Sequence, residues 1–222
     1  NIESSTTAVT ASVKESIIED IIESLKAFKH QNVISIKDLQ CFVGRVNHAV
    51  GLLVTLRPFL QALWAALNAK NTAPHQCIWM KQVDHALSWL WAFFIDKRAG
   101  IRRTFELSDF RCQGDVVEFG TDASPWGIGG WLSINGHIIH HFSDKITADD
   151  IAIYGYEVGT SEGQQVWEAL AILVAIRAWA ASYCTKRVRV IVRSDNVGAL
   201  TLVLKMRPSS PQTAIIAREI AL

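Results

Sequence analysis

The stretch VWEALAILVAIRAWA, Val166–Ala180, decides the reading, because a run long enough for about four helical turns carries a single acidic side chain, Glu168. An ionised carboxylate inside so apolar a helix gives up far more solvation on burial than a neutral group does. A cation is therefore expected beside it. Upstream lies VVEFGTD, Val116–Asp122, and downstream VRVIVRSD, Val188–Asp195. Both runs read as strands from their β-branched content, and both end in aspartate. If Asp122, Glu168 and Asp195 converge, the simplest occupant is one or two divalent ions, Mg2+ or Mn2+, bound through oxygen. The chemistry that suits such a pair is phosphodiester hydrolysis.

Alternation along a strand puts Glu118, Gly120 and Asp122 on one face of the first run, and Arg189, Ile191, Arg193 and Asp195 on one face of the second. Each aspartate then sits at a carboxyl end, the edge where open α/β sheets form ligand crevices. A rival account keeps the same residues structural. Asp122 and Asp195 would cap the elements that follow them, and Glu168 would pair with Arg177.

Further out, the C-terminal half reads as a meander. Trp131–Ile134 and His137–Phe142 are strand-like around the turn pair Asn135 and Gly136, and Gly127, Gly129 and Gly130 suggest a tight hairpin after the first strand. The helix is expected over Ser161–Ala181, with Ser161 and Gln164 as a capping box, sandwiched because it is apolar nearly all round. A crossover to Val188–Ser194 makes the sheet mixed. Asp149 and Asp150 fall in a loop-like stretch. The N-terminal half reads as helical: Val13–Phe28, a second helix entered at Ser35 with Asp38 in its first turn, a third opened by Arg57 and Pro58, and a fourth over Ile78–Phe94. Ser4–Thr10, Asn68–Pro74 and Asp96–Arg103 are polar and turn-like. Two domains are expected, a helical segment over residues 1–110 and an α/β domain over 111–222.

Composition bounds the rest. The 222 residues are half hydrophobic, which supplies real cores, and the formal charge of +1 neither demands nor excludes nucleic acid. Cys41, Cys77, Cys112 and Cys184 show no paired spacing, so reduced thiols and an intracellular setting, cytoplasmic or nuclear, are expected. The longest apolar runs, Trp89–Ile95 and Ala169–Ile176, are too short for a membrane span. A first residue other than methionine and a C-terminal segment, Pro211–Leu222, without a stop signal read as a piece of a longer protein.

FGTDASPWGIGGWL (Phe119–Leu132), SEGQQVWEALAILVAIRAW (Ser161–Trp179) and VRVIVRSDNVGAL (Val188–Leu200) resemble the first three acidic motifs of the ribonuclease H domain attached to retroelement reverse transcriptases, of the LTR and tyrosine-recombinase retrotransposon kind. ISIKDLQCFVGRVNHAVGLLVTLRPFLQALWAAL (Ile34–Leu67) is similar to the helical thumb or connection after the polymerase palm of those enzymes. The resemblance implies a ribonuclease H-like mixed five-stranded sheet with packed helices, here truncated at the C-terminus. It also implies two metal ions on Asp122, Glu168 and Asp195, and cutting of the RNA strand in an RNA:DNA hybrid. Ser124, Trp126, Arg193 and Asn196 would meet nucleic acid. The remainder of the polyprotein would be a partner, and a virus-like particle one setting. A fourth acid is expected beyond Leu222, and no polymerase motif is present. The alternative is a non-catalytic scaffold or nucleic-acid-binding module of the same fold. An integrase-like core fits less well, since it places its glutamate last.

Other features carry less. His137, His140 and His141 cluster, but alternation sends the last two to opposite faces. Lys97, Arg98, Arg102 and Arg103 form one basic group, and Lys186, Arg187, Arg189 and Arg193 another, either of which suits a phosphate backbone or a solvated face. Trp64, Trp79, Trp89 and Trp91 are expected in the core.

Overall fold

The structure is a computed structural model that describes all residues except 70–72, 74–75, 97–100, 112–113 and 186–187, and the side chains of 96, 109 and 110. Lys97, Arg98, Cys112, Lys186 and Arg187, named above, lie outside the described residues. The chain divides into two compact units, Asn1–Leu107 and Ser108–Leu222.

In the first unit, β1 (Ile2–Ser4) and β2 (Ala8–Ser12) precede α1 (Glu15–Phe28), and β3 (Val33–Ser35) runs into α2 (Ile36–Leu52). A short 3-10 turn leads to α3 (Arg57–Asn68), then β4 (Cys77–Trp79), α4 (Met80–Trp91), a π-helical stretch over Ala92–Asp96, and β5 (Arg102–Glu106). The helices form for legible reasons. Ser35 accepts a hydrogen bond from Asp38 N at the start of α2, and Pro58 occupies the first turn of α3. Leu39, Phe42, Val43, Val46, Leu63, Val83 and Leu90 fill the core.

An all-helical segment is nevertheless the wrong description of this unit. β1, β2 and β5 form an antiparallel sheet in that order, and β3 pairs with β4. The polar stretch over Ser4–Thr10 and the segment ending at Arg103 hide two of these strands, because three to five residues are too few for alternation to show. Thr10 and Thr104 share a hydroxyl hydrogen bond of 2.9 Å across β2 and β5. The tryptophans also differ from expectation. Trp64 is 44% exposed, and Trp89 is half-buried, stacked on Phe59 at 3.6 Å between ring centres. Trp91 lies under the Lys29 ammonium at 4.3 Å.

The short α5 (Leu107–Phe110) crosses the division. The second unit then builds β6 (Asp115–Ser124), β7 (Gly127–Ile134), β8 (His137–Lys145), α6 (Ala148–Tyr154), α7 (Gln164–Ala178), β9 (Val188–Arg193), α8 (Val197–Lys205) and α9 (Pro211–Ala221). The sheet order is β8-β7-β6-β9; β6–β7 and β7–β8 are antiparallel and β6–β9 is parallel. It is thus a mixed sheet of four strands among the described residues, compatible with the expected architecture cut short at its C-terminal end, and the chain after β9 goes into two helices. Asn135 and Gly136, both at positive φ, close the β7–β8 turn. Gly127, Gly129 and Gly130 lie within β7 rather than in a turn. A methyl on Gly130 would stand 2.7 Å from the Phe142 ring, so the glycine lets β8 side chains pack across. Asp150, expected in a loop, completes a capping box with Thr147 at the start of α6.

α7 is sandwiched between β6 and β7 on one side and α8 and α9 on the other. Val117, Phe119 and Leu132 from the sheet meet Trp167, Leu170 and Ile172 from the helix in one core. Each such side chain, fully buried, contributes roughly 1.5–3 kcal/mol. The helix begins at Gln164 with Gly163 as N-cap and no side-chain cap, so Ser161 is not its first residue.

Candidate metal centre

β6 and β9 are adjacent and parallel, so their carboxyl ends lie together and carry Asp122 and Asp195 to one rim. α7 crosses the inner face of the sheet and presents Glu168 one turn from its start. One oxygen from each of the three carboxylates lies within 4.8 Å of the others. Asp122 and Asp195 are exposed, whereas Glu168 is only 2% exposed.

Glu168 is held by hydrogen-bond donors on both oxygens. Ala123 N donates to Oε1 at 3.3 Å, Gln164 Nε2 donates to the same oxygen at 3.0 Å, and Ser194 Oγ donates to Oε2 at 3.4 Å. Gln164 also donates to Ala123 O at 2.6 Å, which ties the first turn of α7 to the end of β6. None of these donors is cationic, and among the described residues no Lys, Arg or His forms an ion pair with Glu168. Arg177 is not its partner: that guanidinium bonds Glu219 at 2.6 Å. Burial pushes the Glu168 carboxyl above its ordinary value, the Gln164 amide opposes this, and the neighbouring Asp195 and Asp122 charges raise it further against the Ala123 N–H.

The capping account of the aspartates does not hold either. α8 is capped by Asn196, whose Oδ1 accepts from Ala199 N at 3.0 Å, so Asp195 is left free to face the rim. Asp122 lies within β6, where its Oδ1 accepts from the neighbouring Ala123 N at 2.9 Å. A set of three carboxylate oxygens with like charges close together suits a hard divalent cation, which takes oxygen ligands and offsets the repulsion.

The remaining residues named from sequence fall around this rim with different duties. Ser124 Oγ organises the β6–β7 turn through Trp126 N and Gly127 N. Trp126 is 62% exposed at that turn. Asn196 uses its side chain as the helix cap. Arg193 forms an ion pair with Glu118 on the outer face of the sheet. A wide open groove there is lined by Asp122, Asp195, Arg193, Trp131 and His141. Trp131, His141, Gln164 and Ser194 were not singled out for the site by sequence. For Gln164 the signal was present, since it precedes Glu168 by one helical turn.

No protein-family model matches the chain, and no curated protein matches it. Among solved structures, the chain is similar to the foamy viral protease-reverse transcriptase dRH in complex with ds DNA, with 12% identity and a TM-score of 0.34 over 98% of this chain and 35% of that one. It is also similar to the foamy viral protease-reverse transcriptase in complex with RNA/DNA hybrid, with 13% identity and a TM-score of 0.32 over 93% of this chain. This chain spans 35% of the length of the first of those chains and 25% of the second.

Proposed function

We propose that residues 111–222 form a ribonuclease H-type module of a retroelement reverse transcriptase, preceded by a thumb- or connection-like segment, and that it hydrolyses the RNA strand of RNA:DNA hybrids. The observation that carries this reading is the meeting of Asp122, Glu168 and Asp195 within 4.8 Å, with Glu168 buried and, among the described residues, no Lys, Arg or His paired to it. The motif order Asp, Glu, Asp and the mixed sheet with its parallel fourth strand support the same reading.

Asp122, Glu168 and Asp195 would hold one or two Mg2+ ions. When bound, such ions lower the pKa of an attacking water and stabilise the charge on the departing oxygen. The chain's own part is placement. Ala123 N–H and the Gln164 amide fix one oxygen of Glu168, and Ser194 fixes the other, so the buried ligand is oriented before any cation arrives. Asp122 and Asp195, exposed at strand ends, leave the rim open to a phosphate backbone. No nucleophilic side chain is required.

The test is Asp122→Asn in a chain extended past Leu222, where the resemblance puts a fourth acid, assayed on a labelled hybrid with magnesium. Cleavage should fall by about a hundredfold or more, given that even outer supports of a metal site are worth ten- to a hundredfold. Undiminished cleavage by the folded variant refutes the assignment.

A further inference from the structure

One large aromatic stands exposed beside the acidic rim, and the structure goes to some length to keep it there. Trp126, 62% exposed, occupies the tip of the β6–β7 hairpin. Ser124 Oγ accepts from Trp126 N at 3.3 Å and from Gly127 N at 3.2 Å, and Oγ lies 3.3 Å from Gly127 O as donor. Two further segments clasp the tip: Ile146 N donates to Trp126 O at 3.0 Å, and Gly159 N donates to Pro125 O at 2.9 Å. Gly159 has a φ of +86°, and a methyl placed on it would stand 3.4 Å from the indole Nε1. Its backbone therefore closes against the ring, in a conformation that suits glycine. Among the described residues nothing bonds the indole N–H.

A tryptophan carried on so closely hydrogen-bonded a backbone, yet unburied, forgoes the burial of up to about 150–250 Å² of surface, which favours a partner that covers it. Its place selects that partner. Ser124 lies two residues past Asp122 on the same strand, roughly 7 Å away at strand rise, and Trp126 follows two residues later at the hairpin tip. Bases inside a paired duplex are stacked and closed to the ring. An A-form duplex does display ribose and base edges in a wide, shallow minor groove that an aromatic side chain can cover.

We propose that Trp126 is a substrate-positioning subsite whose indole packs on the sugar and base edges in the minor groove of an RNA-containing duplex, to one side of the bond at the carboxylates. This rests on the hybrid-cleaving function. It adds a reason for preferring A-form over B-form duplexes, whose minor groove is narrow.

The experiment is fluorescence anisotropy in EDTA, without cleavage, using the full chain and three labelled probes: an RNA:DNA hybrid, a DNA duplex of the same sequence and single-stranded RNA. Trp126→Ala should weaken hybrid binding about tenfold, the equivalent of 1.4 kcal/mol. Trp126→Phe, which keeps a flat apolar ring, should stay within about threefold of wild type. The DNA duplex should be bound equally by all three proteins. Equal hybrid affinity of wild type and Trp126→Ala overturns the proposal, and so does an equal loss on single-stranded RNA, which would mean stacking on unpaired bases. A wild-type chain that does not retain the hybrid overturns this subsite and the parent reading together. Intact binding here, with no magnesium-dependent cutting in the separate cleavage assay, removes the parent activity alone, so the two failures are distinguishable.

Discussion

At the scale of single residues, Glu168 concentrates the physics of the protein. Its burial is paid in solvation and only partly met by three neutral donors, so its carboxyl is held above the ordinary value of 4.5. A raised acid pKa means the folded state binds the proton more tightly than the unfolded one. The stability this contributes is fully present below about pH 4.5 and is lost as pH rises through the folded-state value. In EDTA, wild type should therefore lose stability as pH rises from about 4.5 toward neutrality. Glu168→Gln should lack that dependence and be the more stable protein at neutral pH. Added magnesium should raise the melting temperature of wild type and leave the variant unmoved. Melting curves across pH, with and without magnesium, check all three; identical pH profiles for the two proteins would remove burial as the cause.

At the scale of elements, the site depends on how α7 is pinned to β6. Gln164 bonds both Ala123 O and Glu168 Oε1, so Gln164→Ala removes a donor from the buried carboxylate without touching the helix cap, which is Gly163. Affinity for Mn2+, measured by calorimetry, should fall about ten- to a hundredfold. Unchanged affinity would show that Gln164 only fastens the helix. The outer face of the sheet gives a second check. A methyl on Gly120 would stand 2.7 Å from two atoms of the Trp131 indole, so Gly120→Ala should cost about 1–3 kcal/mol in urea unfolding. Trp131→Ala in the same chain removes the obstacle, and the double variant should be more stable than the sum of the two single losses implies.

For the whole molecule, the division into Asn1–Leu107 and Ser108–Leu222 matters because every carboxylate of the rim and every donor to Glu168 belongs to the second unit. Phe42, fully buried in the first unit and edge-to-face with Phe28 at 5.5 Å, makes this testable. Phe42→Ala should cost about 3–5 kcal/mol in unfolding of its own unit. Affinity for Mn2+ should stay at the wild-type value, and a parallel fall in metal binding would show that the rim needs the first unit. Among the described residues no helix is long and apolar enough to cross a membrane, in keeping with the short apolar runs.

The sequence by itself determined the strands that end in Asp122 and Asp195, the apolar helix around Glu168 and the helical periods of the first half, because side-chain alternation and the 3.6-residue repeat are local properties. It did not disclose β1 to β5, whose few residues show no period and whose pairing, apart from the β1–β2 hairpin, joins residues far apart in the chain. It also placed the start of α7 at Ser161 rather than after Gly163, because the amide of Gln164, read as a cap partner, serves here as a bridge to Ala123 and Glu168. Only the tertiary structure decided that Asn196, not Asp195, caps α8, that Arg177 goes to Glu219, and that the three carboxylates share one rim. Those outcomes depend on which strand lies beside which, and the parallel pairing of β6 with β9 across a long crossover is not written in any single segment.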